Sequence, residues 1–183
     1  MKRLFVLIAV SLLSAGLYAQ KDVTKFLGIE VDGTRASFIQ KLRAKGFTVN
    51  RYKDDILDGE FNGEKVNIAI FEQGNKVWKV LVGDVAMRNE TQIKMRFNDL
   101  VSQFESNPNY YPPSNDQRIA EDEDLGYGIS ILERAYQAFF IQRGNVESDK
   151  KLVWIEIMRA NTNEYYIVIF YENGYNKIDG RDL

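Results

Sequence analysis

Leu57-Asp58-Gly59-Glu60-Phe61-Asn62-Gly63-Glu64-Lys65-Val66-Asn67-Ile68-Ala69-Ile70-Phe71 is the stretch that decides the architecture. Asn62-Gly63 stands between two strand-like runs. The favoured two-residue hairpin turn needs φ > 0 at both positions, which Asn and Gly tolerate best. Val66, Ile68 and Ile70 alternate with Asn67, Ala69 and Phe71, the period-two pattern of a strand with one buried face. Strands joined by so short a turn pair antiparallel.

Upstream the period changes. Ile29-Glu30-Val31 predicts a short strand and Asp32-Gly33 a turn, after a loose polar leader from Gln20 to Lys25. Thr34 suits a helix N-cap. Phe38, Ile39 and Leu42 share one helical face, and Gly46 suits the left-handed stop, which places a helix at about 34–45. Phe47-Thr48-Val49 starts the first strand after it. Downstream, Gln73-Gly74-Asn75 turns the chain into a strand over Val77–Val82. Its alternation puts Trp78, Val80 and Val82 on one face and Lys79 on the other.

The same order then restarts. Asn89 with Gln92 resembles a capping box. Ile93, Phe97, Leu100, Val101 and Phe104 form one apolar stripe, which predicts a helix over about 90–106. Asn107-Pro108 and Pro112-Pro113 end it and open a loop to about Glu123. Strands are predicted at 127–132, 136–142, 152–159 and 164–171. Asn161-Thr162-Asn163 turns the last pair, and Arg143 to Lys150 reads as a polar loop. Helices segregated from hairpin-linked strands mean an α+β fold. The pattern is tandem helix-plus-antiparallel-meander units, with two helices on one face of about eight strands. The halves are 20–86 and 87–183, as two domains or one continuous one. A single eight-stranded sheet and two four-stranded sheets both satisfy it.

Met1-Lys2-Arg3, the apolar run Leu4–Leu13 and the small residues Gly16 and Ala19 form the order of a secretory signal over residues 1–19. Cleavage is expected before Gln20, giving an exported protein, periplasmic or extracellular. No Cys follows the apolar run, so a lipoprotein anchor is not expected, and no later stretch is apolar and long enough to span a membrane.

The 183 residues contain no His and no Cys. Zinc sites of the Cys/His kind, Ser-His-Asp triads, Cys nucleophiles and disulfides are therefore excluded. The 24 Lys and Arg against 26 Asp and Glu give no basic excess for nucleic acid. With 45% apolar and 13% aromatic residues the chain is that of a packed domain. A chain of this length buries roughly 70% of its unfolded surface, enough for a core without staples.

The run Ile29-Glu30-Val31-Asp32-Gly33-Thr34, a short helix, then Gly46-Phe47 and a meander resembles the repeated unit of β-lactamase-inhibitor proteins and of small outer-membrane-assembly lipoproteins. That likeness implies a strand, a short helix and antiparallel strands per unit, and suggests an envelope-assembly or structural role. The whole chain, with its tail Tyr175-Asn176-Lys177-Ile178-Asp179-Gly180, also resembles small secreted proteins of gut anaerobes, which carry no assigned activity.

Few residues are candidates for chemistry. Glu121-Asp122-Glu123-Asp124 is the densest acidic run but lacks the alternation, sixth-position Gly and twelfth-position Glu of an EF-hand loop. It reads as a solvated loop. Gly126-Tyr127-Gly128 precedes a predicted strand, the wrong order for a phosphate loop. No cofactor or metal is expected. A hydrolase working through carboxylates alone would need two acids in one cleft, and no spacing singles out a pair. On strand 152–159, Val153, Ile155 and Ile157 form one face and Trp154, Glu156 and Met158 the other. If the aliphatic face meets the helices, Trp154, Met158 and Glu156 lie on an open face. They are the candidate binding residues for a protein or a glycan. If both faces are covered, they are core, and Glu156 is an ordinary solvated strand acid.

Overall fold

The computed structural model describes residues 22–144 and 149–178. The expected secretory signal, residues 1–19, lies outside the described residues. Among the described residues the architecture is α+β, with eight antiparallel strands in one sheet and three helices.

A small hairpin comes first, β1 (Lys25–Phe26) paired with β2 (Ile29–Glu30). Leu27 and Gly28 turn it with φ of 51° and 76°. Helix α1 (Arg35–Arg43) is capped by the Thr34 hydroxyl, which accepts from the Ser37 N–H at 3.3 Å. It leads into β3 (Thr48–Val49), β4 (Ile56–Phe61), β5 (Glu64–Gln73) and β6 (Lys76–Asp84). Helix α2 (Glu90–Ser106) follows, its capping box complete. Gln92 N–H donates to Asn89 at 3.0 Å, and Asn89 N–H donates back to Gln92 at 3.3 Å. Then come β7 (Tyr110–Tyr111), α3 (Leu125–Ser130), β8 (Gln137–Gln142), β9 (Leu152–Arg159) and β10 (Tyr165–Glu172).

The sheet order is β3-β4-β5-β6-β10-β9-β8-β7. The last strand after α1 therefore pairs with the last strand after α2, Ile169 opposite Val82. One continuous sheet results, rather than two separate four-stranded ones. At its β8 edge a side chain replaces a strand. The Gln117 amide donates to the Phe139 carbonyl at 3.0 Å and accepts from the Phe139 N–H at 2.6 Å. That satisfies an edge that would otherwise offer itself to another chain.

One face of the sheet carries the core. Phe38 and Leu42 from α1, and Ile93, Phe97, Leu100, Val101 and Phe104 from α2, are all buried against Ile68, Val80, Val82, Ile155 and Ile169. The predicted stripe of α2 is thus the buried one, while Met95, off the stripe, is 63% exposed. Gly59 belongs to this face. A methyl group there would overlap the Phe47 ring, so glycine is what lets Phe47 lie over the strand.

Three expectations need correction. Residues 127–132 do not form a strand. The Asp124 carboxylate accepts from the Tyr127 N–H at 2.8 Å and starts α3 instead. Gly128 in that helix sits directly under Tyr136, leaving no room for a side chain. Trp78 does not share the buried face of Val80 and Val82. Phe71 pairs with Lys79 and Glu72 with Val77, so Trp78 is the extra residue of a β-bulge, and Val77 takes the core position beyond it. The described part of the leader, Asp22–Lys25, is not loose. Val23 and Thr24 are buried, the Thr24 hydroxyl donates to the Glu172 carbonyl, and Asp22 pairs with Lys151 at 2.7 Å.

Candidate functional site

The candidate residues sit where strand alternation puts them. Val153, Ile155 and Ile157 are 0, 0 and 4% exposed beneath the helices. Trp154, Glu156 and Met158 point to the other face and are half-buried. The helices and the core lie on the opposite side of the sheet.

Register turns these scattered residues into rungs. Ile56 pairs with Ala69, Ala69 with Leu81, Leu81 with Phe170, Phe170 with Trp154, and Trp154 with Phe139. Six apolar side chains from six neighbouring strands therefore form one line across the open face. At about 4.8 Å between strands the line is roughly 24 Å long. Towards its β8 end Trp154 and Phe170 stack with centroids 4.5 Å apart and planes 12° apart, and Phe139 follows Trp154 at 6.5 Å and 29°. Trp154 and Phe170 meet face to face, which turns their edges outward.

The flanking rungs are mixed and carry most of the polar groups of the face. On one side run Asp58, Asn67, Gly83, Val168, Glu156 and Gln137. Asp58 is held by the Asn50 and Asn67 amides at 2.9 and 2.7 Å. On the other side Phe71, Lys79 and Glu172 align. The Lys79 ammonium lies 4.4 Å from the Trp78 centroid, 4.9 Å from Phe71 and 5.7 Å from Phe170, cation–π contacts that fix it over the rings. Burial pushes the Glu172 carboxyl above its usual range, against the pull of Lys177 at 3.9 Å and of Lys79.

Glu156 is different. Its neighbours on this face are Trp154 and Met158 along the strand and Val168 and Gln137 across it. No described residue gives its carboxylate a hydrogen bond or an ion pair. The other acids of the face are far from it. By strand geometry Glu172 lies roughly 14 Å away and Asp58 about 19 Å, against the 5–10 Å of paired catalytic carboxylates.

Two further clusters bind themselves. Asp84 accepts from Arg88 at 3.1 Å and from Arg96 at 3.3 Å, and Arg88 also reaches Glu64 at 2.5 Å. Burial still raises the Asp84 carboxyl above the ordinary value, which marks a structural knot at the end of β6. In the acidic run 121–124 the Glu123 and Asp124 carboxylates are committed, and two backbone carbonyls with them. Lys94 donates to the Glu121 carbonyl at 2.9 Å and to that of Glu123, Glu123 pairs with Arg134 at 2.6 Å, and Asp124 caps α3. Among the described residues no group of three or more acidic side chains could hold a metal ion.

A concavity of about 750 Å³ lies on the helix side between the β1–β2 hairpin, the end of α2 and β7. Its polar groups are turned on one another. The Gln142 amide donates to Tyr110 Oη and to the Lys25 carbonyl, both at 3.0 Å, and accepts from the Lys25 N–H at 2.6 Å. Tyr110 is hydrogen-bonded to Tyr171, whose complete burial raises its hydroxyl well above the usual tyrosine value. Asn62 donates to Gln103 at 3.0 Å across the mouth.

The sequence picked out three of the open-face residues. It missed Phe139, Phe170, Leu81 and Ala69, which join Trp154 only through pairing between distant strands. Of these, alternation in the sequence marks a face only for Ala69, and their common line depends on strand register. No family model, curated protein or solved structure matches this chain. No helix among the described residues is long and apolar enough to cross a membrane.

Proposed function

We propose that the protein is an exported, non-catalytic binding module, built from two helix-plus-meander units, that recognises a partner through the open face of its sheet. The observation that carries this reading is the six-residue apolar line that includes Trp154 and Phe170. Contiguous apolar surface left in water by a soluble domain marks an interaction site, and aromatic and Met side chains are the types enriched at interfaces. The ring arrangement favours a protein over a glycan. A sugar stacks on an open aromatic face, and here the faces of Trp154 and Phe170 are turned to each other. The wide separation of Glu156 from the other acids on this face speaks against a carboxylate-only hydrolase.

The test is affinity capture from envelope and culture-medium fractions with the mature protein as bait. Trp154→Ala is the control, and about 2 kcal/mol or more of partner affinity is lost if Trp154 is a hot spot. Equal capture by both forms would overturn the reading. A partner recovered only from the envelope would instead favour an envelope-assembly role for the same face. Export itself is checked by N-terminal sequencing. The expected first residue is Gln20, two before the Asp22 carboxylate that anchors the chain to Lys151, and Met1 retained on exported protein would contradict it.

A further inference from the structure

Resting on that reading, we infer that the segment bound at the open face is a stretch of protein carrying a basic side chain between apolar ones, with Glu156 as the acceptor of its charge. The line Leu81, Phe170, Trp154 and Phe139 presents aliphatic groups and ring edges, which fit apolar side chains. Glu156 stands next to that line with Trp154 and Met158 two residues away on either side along the strand.

Charge complementarity selects the partner. Glu156 is a half-buried residue flanked by Trp154, Met158, Val168 and Gln137, and no described residue supplies its carboxylate with a donor. The cations closest to the same line are already engaged, Lys79 over three rings and Lys177 beside Glu172 and Trp78. A partner that covered Glu156 with apolar groups alone would strip water from an unpaired charge, which costs more than such a contact returns. A lysine or arginine of the partner removes that cost, and arginine adds a flat group able to pack along the Trp154 edge. Extended partner backbone matches the spacing best, because its alternate side chains repeat at the same distance as Trp154, Glu156 and Met158.

The experiment uses three synthetic peptides that differ at one position. They are acetyl-Ser-Leu-Ser-Arg-Ser-Leu-Ser-amide and its Gln and Glu counterparts, titrated into the protein while the Trp154 indole and the β9 amides are followed by NMR. The Arg peptide should bind about tenfold more tightly than the Gln peptide, and the Glu peptide more weakly still. Glu156→Gln should bring the Arg peptide to the level of the Gln peptide, and added salt should erode only the Arg preference. Trp154→Ala should weaken all three alike. Thermal melts of both variants check that each is folded. If the peptides bind alike and Trp154→Ala weakens them alike, the basic-partner inference fails while the open face stands as a binding surface. If none moves β9 resonances, or if the Arg preference persists in Glu156→Gln, the inference is overturned. A concentration-dependent dimer formed through β9 without peptide would also overturn it, in favour of a second copy.

Discussion

Residues 153, 155 and 157 and residues 154, 156 and 158 alternate along one strand, yet face different surroundings. The odd-numbered set lies beneath α2 and is almost wholly buried, while the even-numbered set faces away from the core, half-exposed. Glu156 apart, the difference is not one of hydrophobicity. Trp154 and Met158 are as apolar as the valine and isoleucines behind them. What separates the faces is cover: on one side helices close the core, and on the other ring stacks on ring and leaves its edges to water. Apolar content alone therefore does not identify the core of this protein. Apolar content together with a covering element does.

Substitutions at contrasting positions sharpen that contrast, and the largest effect should come from the covered face. Phe97→Ala, at 0% exposure under the sheet, should cost about 3–5 kcal/mol in urea melts through lost transfer energy and a cavity. Met95→Ala on the solvent side of the same helix should cost under about 1 kcal/mol. Equal losses would mean that α2 does not present its stripe to the sheet. Gly59→Ala comes next. The added methyl group meets the Phe47 ring, and the repacking should cost about 1–3 kcal/mol, restored in part by pairing it with Phe47→Leu.

The smallest effect belongs to the open face and depends on pH. Burial holds the Glu172 carboxyl above its unfolded value of 4.5. The folded state therefore keeps the proton longer than the unfolded one. The stability this provides is complete below pH 4.5 and is lost as pH rises through the raised folded value. Glu172→Gln, which cannot ionise, should be more stable than the parent near neutral pH by a fraction of a kcal/mol up to about one. That advantage should vanish as pH falls below 4.5. A variant advantage that grows on acidification would reverse the assigned direction.

Local rules made much of this fold legible. Asn62-Gly63 turns its hairpin with φ of 51° and 78°, and the capping box and stripe of α2 match the sequence pattern. These features depend on residues within one or two turns of each other. The misreadings share the opposite property. Trp78 leaves the buried face because a bulge is defined only by pairing with β5. Residues 125–130 are helical because Asp124 caps them and Tyr136 packs on Gly128, neither of which alternation reveals. Asp22 is anchored by Lys151, 129 residues away. For the site, alternation gave the face of Trp154, Glu156 and Met158. The line from Ile56 to Phe139 needed the register of six strands.

Trp154 and Ile155 are adjacent in sequence and opposite in surroundings, so truncating each to Ala measures the account most directly. Both variants go through urea melts and through partner capture. Ile155→Ala should lose about 2–5 kcal/mol of stability and, where still folded, keep its capture yield. Trp154→Ala should lose about 1 kcal/mol, the worth of its stack on Phe170, and about 2 kcal/mol or more of partner affinity. A Trp154→Ala protein as destabilised as Ile155→Ala, with capture intact, would make the open face a second core and contradict the account.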